Sequence, residues 1–274
     1  MDESQVKKDV HQDSGDGSVF VSPAFHPLVV GDEEDVDPSA EQVSAIVSIL
    51  LNAGICCCFV QEFALLYYGT RRLPNDRILC VPDEQHELAV ELFTSRCDIL
   101  KPCGPLPLRR PDLLNHKYPR FKAIGRTDFW LLLPASYCHI ACEPNNVEWS
   151  QSGLPYPKLP VYVQSLMDTK TGVDLEDLID GMDLSEEWGE QNLDLEGYTD
   201  TKWLEGYFGA FRQDGRDEMF ICIDPTPVSR RQMWQEFVLN KQRRMGWKYP
   251  PEVYATRFRR HGSKDPRIRH IPGL

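Results

Sequence analysis

Gly54-Ile55-Cys56-Cys57-Cys58-Phe59-Val60-Gln61-Glu62-Phe63-Ala64-Leu65-Leu66-Tyr67-Tyr68-Gly69 and, after Pro74, Asn75-Asp76-Arg77-Ile78-Leu79-Cys80-Val81-Pro82-Asp83-Glu84 form the stretch on which the fold turns. Residues 55–60 make a β-prone apolar run of strand length. Residues 62–68 read as a short helix, stopped at Gly69. Residues 77–81 are a second strand with a lone acid, Asp76, at its mouth. Upstream, Ser39 and Gln42 form a capping-box pair after Pro38. Val43, Ile46, Val47 and Leu50 follow at helical spacing, and Gly54 closes that helix. Downstream, Asp83 can cap a helix with Leu88, Ala89, Leu92 and Phe93 on one face. The order αβαβα implies an α/β (α+β) layered core with both strands in one sheet.

Four segments follow. Residues 1–37 are polar, with the acidic run Asp32-Glu33-Glu34-Asp35, and read as largely disordered. Residues 38–160 carry the α/β core. Prolines crowd 102–111 and 155–160, read as loops, and 128–134 and 137–142 read as buried strands between them. Residues 161–228 form an acidic, mainly helical region, with helices expected over 161–167, 175–179 and 185–192. Residues 229–274 form a basic helix and tail. Ser229 and Gln232 are its capping pair, Met233, Trp234, Phe237 and Val238 its apolar face, and the tail loosens from Gly262.

The 274 residues are 41% apolar and 26% charged, values of a soluble globular protein. No apolar run reaches the ~18–20 residues that span a bilayer, and the start Met1-Asp2-Glu3-Ser4-Gln5 does not resemble a secretion signal. Nine cysteines, three of them consecutive, suit reduced thiols in a cytoplasmic protein better than a disulfide scaffold. The net charge of −12 is divided unevenly. Residues 229–274 hold twelve Lys/Arg against three Asp/Glu, while 168–200 holds twelve acids and one Lys. Segments of opposite sign in one chain attract, so the basic tail is expected on the acidic region.

The segment from Gly54 to Asp83 resembles a widespread group of uncharacterised fungal proteins with a nucleotidyltransferase-like fold. Their pattern is an apolar strand, Gly-Glu, a small helix ending in Tyr-Gly, and Asp-x-Glu leading into Cys-Val-Pro. The matching residues are Glu62, Ala64, Leu65, Tyr68, Gly69, Asp76, Cys80, Val81 and Pro82. A second block is similar too: Leu178-Ile179-Asp180-Gly181-Met182, Glu187-Trp188-Gly189 and Asn192-Leu193-Asp194-Leu195-Glu196-Gly197. The likeness covers most of residues 40–205. It implies a fold, since the group has no agreed activity.

Nucleotidyl transfer needs carboxylates at i and i+2 of a strand, about 7 Å apart on one face, to hold Mg²⁺ against substrate phosphates. Asp76 is the candidate catalytic acid, but Ile78 stands where the second should be. Gln61-Glu62 occupies the turn where small residues would let a triphosphate approach. Glu62, Asp83 and Asp128 are acids that could substitute, although no spacing argument places them there. Gln61, Glu62, Arg71, Arg72 and Arg77 cluster around the turn and are candidate ligand contacts, the arginines for an anion held without metal.

Other constellations point to no chemistry. Cys56, Cys57 and Cys58 alternate across a strand and pack as small hydrophobes. Cys138, His139 and Cys142, with Cys97 and Cys103, lack paired zinc-knuckle spacing. The acids Asp174, Glu176, Asp177, Asp180, Asp183, Glu186 and Glu187 lack a Ca²⁺-loop frame around Gly181 and read as a solvated helix face. There is no P-loop, His-Glu-x-x-His, Gly-x-Ser-x-Gly or Gly-x-Gly-x-x-Gly.

The expected function is therefore a diverged, non-catalytic nucleotidyltransferase-fold module that binds a nucleotide, a phosphorylated small molecule or a protein, with no cofactor and no membrane. The rival is a metal-dependent nucleotidyltransferase using Asp76 and Mg²⁺. A third reading is a nucleic-acid accessory protein using residues 230–269, where Trp234, Trp247, Tyr249, Tyr254 and Phe258 interleave with Arg and Lys. The same aromatics suit a core, and nucleic acid is not expected.

Overall fold

Helix α1 (Ser39–Asn52) buries Val43, Ile46, Val47 and Leu50, the stripe set by their spacing. Gly54, at φ 74°, turns the chain so that the Ile55 N–H returns to the Leu50 carbonyl at 3.0 Å. The computed structural model describes residues 39–74, 76–105, 113–213 and 226–268. The disorder expected for residues 1–37 and part of the proline-rich 102–111 lie outside them.

The core is a five-stranded mixed sheet in the order β1-β2-β5-β4-β3, made of β1 (Cys58–Phe59), β2 (Arg77–Val81), β3 (Leu100–Cys103), β4 (Arg120–Ala123) and β5 (Phe129–Pro134). β2 and β5 run parallel, and the other neighbours antiparallel. Helix α2 (Glu62–Tyr67) joins β1 to β2, and α3 (His86–Ser95) follows β2. This is the mixed α/β core expected, with β1 and β2 adjacent in one sheet. β2 is buried at all five positions, since it is paired on both edges.

Several elements differ from the sequence reading. β1 is two residues rather than six. Continuing its register would set Cys56 against Pro82, which lies beyond β2 and has no N–H. Asp83 does not cap the helix after it: its carboxylate accepts the Ser136 N–H at 3.0 Å. That bond starts α4 (Ala135–Cys138) directly after Pro134, so the strand expected over 137–142 is a helical turn followed by loop. Leu88 is 46% exposed, since only Ala89 and Phe93, four apart, are buried on the sheet side. The prolines of 155–160 belong to β7 (Pro155–Pro157), paired with β6 (Val147–Trp149), and to the start of α5 (Leu159–Asp168). Pro160 sits there in the first turn, where a missing N–H costs nothing. From Gly262 to Ile268 the chain is anchored rather than loose: Pro266 is buried and Arg267 reaches Glu148 at 3.3 Å.

The helices α5, α6 (Gly172–Met182), α7 (Glu186–Asn192), α8 (Thr201–Gln213), α9 (Arg230–Leu239) and α10 (Lys241–Met245) precede a hairpin of β8 (Tyr254–Thr256) and β9 (Arg259–Arg260). Ser229 caps α9 through the Gln232 N–H at 3.4 Å. Two glycines of the second sequence block mark close approaches. A methyl group on Gly181 would strike the Tyr68 carbonyl, so α6 and the end of α2 meet backbone to backbone. One on Gly189 would overlap the indole of the fully buried Trp234.

The acidic helices carry the basic segment. Arg230 pairs with Asp168 and Asp194, each at 2.7 Å, and Lys241 with Asp183 at 2.9 Å. Asp180 is fully buried between Arg244 and Arg257, each at 2.7 Å. Asp174, Asp177 and Asp180 are therefore buried rather than a solvated face: α6 points them into the arginine-bearing elements.

Candidate functional site

Alternation along β2 sets Asp76, Ile78 and Cys80 on one face of the sheet, with Arg77 and Leu79 on the other. The registers place Arg120 of β4, Leu131 of β5 and Ile78 of β2 in one cross-strand row. From that row the Arg120 guanidinium reaches over to Asp76. Its Nε donates to Oδ2 at 2.6 Å and its Nη2 to Oδ1 at 2.9 Å. Both side chains are buried, the guanidinium lies 3.7 Å from the Phe129 ring centroid, and Nη1 donates to the Gly104 carbonyl at 3.3 Å.

These residues do not fit a catalytic divalent ion. A fixed cation already engages both Asp76 oxygens, and Ile78 gives the adjacent position an apolar side chain. Two of the possible substitutes are committed elsewhere. Asp83 holds Ser136, and Asp128 pairs with Arg126 at 3.0 Å and Arg77 at 3.4 Å. Glu62 is buried at the start of α2.

On the same face, a cleft with a cavity volume of about 80 Å³ opens between the end of β1 and helices α4, α5 and α8. Its walls carry the rings of Tyr137, Tyr162, Trp203 and Tyr207. Trp203 and Tyr207, one helical turn apart on α8, stack with centroids 4.6 Å apart. Burial holds the Tyr137 and Tyr162 phenols well above their ordinary pKa, so both remain hydroxyl donors. Ser165, Thr169 and Thr171 add hydroxyls, with Thr169 and Thr171 2.8 Å apart. No Lys or Arg is among the described lining residues.

Gln61 sits at the cleft's inner edge in an unusual conformation, φ 55° and ψ −130°. A side chain rarely adopts this, and the sequence offered no reason for it at a glutamine. Its carboxamide pairs with that of Asn115, which donates to Gln61 Oε1 at 3.0 Å, and Tyr162 donates to the Gln61 carbonyl at 3.3 Å. Asn115 also accepts from the Tyr137 hydroxyl at 3.0 Å. The network ties the strained turn to the cleft wall.

The other expected ligand residues scatter. Arg71 is exposed. Arg72 reaches the cleft only through Asp174, at 2.5 Å, and also pairs with Asp177. Arg77 lies on the opposite face, 4.7 Å from the Phe63 centroid. The aromatic lining was missed, although Trp203, Tyr207 and Phe211 recur at helical spacing on α8. Of the cysteines considered for zinc, Cys97 is exposed, Cys103 lies against Arg120, and His139 turns to Asp200 at 3.1 Å.

No family model matches the chain, and no curated protein matches it. Solved structures do. The antibiotic-resistance factor ANT(2'')-Ia in complex with adenylyl-2''-tobramycin is 11% identical with a TM-score of 0.34, over 65% of this chain and 98% of that one. A solution structure of the same factor is 11% identical with a TM-score of 0.32, over 66% and 95%. Superpositions this loose say nothing of activity.

Proposed function

We propose that this chain is a non-catalytic binding module of nucleotidyltransferase type whose cleft takes the planar, uncharged ring of a small molecule, a nucleobase being the first candidate. The observation that carries the reading is the Arg120–Asp76 pair. A buried guanidinium stands where nucleotidyl transfer needs a metal ion, and Ile78 removes the second carboxylate. The cleft supports the ligand class. Aromatic walls with a few placed hydroxyls are the usual make-up of a small-molecule site, and ring stacking is worth about 0.5–1.5 kcal/mol per pair beyond area burial. Without Lys or Arg in the described lining, phosphates add little, so the base rather than the phosphate is the recognised part.

The test is calorimetric titration of the full chain with the four common ribonucleosides and their triphosphates, with and without Mg²⁺. Binding of at least one nucleoside at about 1 mM or tighter, unimproved by phosphates or Mg²⁺ and weakened by Trp203→Leu, is expected. A parallel assay follows transfer of labelled nucleotide from Mg·NTP. Transfer abolished by Asp76→Ala overturns the non-catalytic reading, and absence of nucleoside binding overturns the base-binding one.

A further inference from the structure

The Sγ atoms of Cys58, Cys80 and Cys142 all lie within 4.8 Å of one another, and all three residues are buried. They come from β1, β2 and the loop after α4, so 84 positions of chain fold to bring them together only in the tertiary structure. Cys58 and Cys80 are directly opposed residues of the β1–β2 pair and share the face that carries Asp76 and Ile78. Cys142 arrives because His139, at φ 52°, turns the chain after α4 back over β2. There its Sγ lies 3.4 Å from the Cys80 carbonyl oxygen. A fourth thiol, Cys138, neighbours Cys80 from α4 but lies outside that group of three, partly exposed at the wall of the cleft.

We propose that Cys58, Cys80, Cys142 and Cys138 form a tetrahedral thiolate site for a zinc ion, which clamps the edge of the sheet to the wall of the cleft. Zinc–sulfur bonds of about 2.3 Å set tetrahedral sulfurs about 3.8 Å apart, so the three buried thiols close around an ion by moving about 1 Å or less. The donors are all sulfur, which selects thiophilic ions over Mg²⁺ or Ca²⁺. Each thiol that binds gives its proton to solvent as its S–Zn bond forms, and no electrons move. Cys138 provides the entry path, since it is the member that reaches the cleft. Cys57 takes no part because the strand points it to the other face. Cys56 lies outside the group of three thiols.

The experiment uses the reduced full chain, stripped with chelator and reloaded with zinc or with cobalt(II) as a spectroscopic stand-in. About one zinc per chain that survives gel filtration is expected, with the charge-transfer and intense d–d bands of a tetrahedral cobalt–thiolate site. Zinc should also shield Cys138 from alkylation in the native protein and raise the thermal midpoint. Cys138→Ser should weaken zinc binding about 10-fold or more, the scale of losing one support of a metal site, while Cys56→Ser and Cys97→Ser leave it unchanged. The alkylation and cobalt readouts on the unmutated chain keep the test valid if Cys58→Ser, Cys80→Ser or Cys142→Ser fails to fold. No zinc uptake, an octahedral cobalt spectrum, full binding by Cys138→Ser, or a disulfide among these residues in the protein as isolated overturns the proposal. None of these outcomes depends on whether the cleft binds a nucleobase.

Discussion

Arg120 holds Asp76 through two parallel hydrogen bonds, 2.6 Å and 2.9 Å, with both side chains buried beneath one face of the sheet. A bidentate guanidinium–carboxylate contact of this kind is strong and directional. Removing one partner leaves the other buried without a counter-charge. Asp76→Ala and Arg120→Ala should each cost about 3–5 kcal/mol in urea unfolding, and the Asp76→Leu/Arg120→Met double variant much less than the sum. Single losses below about 1 kcal/mol would mean that the pair is a weak surface-like contact.

Gln61 should behave as a strained residue held by its side chain. Gln61→Ala keeps the φ 55° turn and loses the contacts to Asn115. Gln61→Gly loses the same contacts and relieves the backbone. The glycine variant is expected to be more stable than the alanine variant by about 1–3 kcal/mol in chemical denaturation. Equal stabilities would show that the turn carries no strain.

Three glycine-to-alanine changes separate space from propensity. Gly189→Ala drives a methyl into the Trp234 indole, and Gly181→Ala drives one into the Tyr68 carbonyl, so each should lose about 1–3 kcal/mol or more. Gly206 lies on exposed α8 with nothing near an added methyl, so Gly206→Ala should gain up to about 1 kcal/mol. Circular-dichroism melts read all three, and a stabilising Gly189→Ala would contradict the packing of α7 on α9.

Acid should loosen α8 through its cap. Asp200 accepts the Trp203 N–H at 3.0 Å, and that backbone bond, followed by His139, holds its carboxyl below the ordinary range. The folded pKa is depressed, so the contribution is present above the unfolded value near 4 and is lost as pH falls through the lower folded value. Asp200→Asn keeps a capping oxygen but cannot titrate. The difference in thermal midpoint between wild type and this variant should therefore change as pH falls below about 4. A flat difference throughout would remove the cap from the acid response.

The basic segment should bind nucleic acid poorly. Arg230, Arg231, Lys241, Arg244, Arg257 and Arg267 already face carboxylates within the chain. A phosphate backbone must compete with partners tethered at high effective concentration. Fluorescence titration of the full chain with single- and double-stranded oligonucleotides should give only weak binding that falls steeply with salt. Submicromolar affinity at physiological salt would show the ion pairs to be readily displaced.

What the sequence determined by itself was local. Apolar spacing from Val43 to Leu50 made α1, β-branched and apolar residues from Arg77 to Val81 made β2, and Ser185 and Ser229 capped their helices, because hydrophobic periodicity and capping act within a few residues. The missing second acid at Ile78 was legible for the same reason. Tertiary structure decided what depends on distant partners. The strand pairing of Arg120, with no local mark in the sequence, chose the counter-ion of Asp76. The hydrogen bond from Ser136 took Asp83 away from its own helix and made residues 135–138 helical. The convergence of Cys58, Cys80 and Cys142 required the sheet register and the turn at His139 together. Charge composition put opposite signs in one chain, but only the packing of α6 against the C-terminal arginines buried Asp180, since desolvating a carboxylate is tolerable only where guanidinium groups already stand on both sides of it.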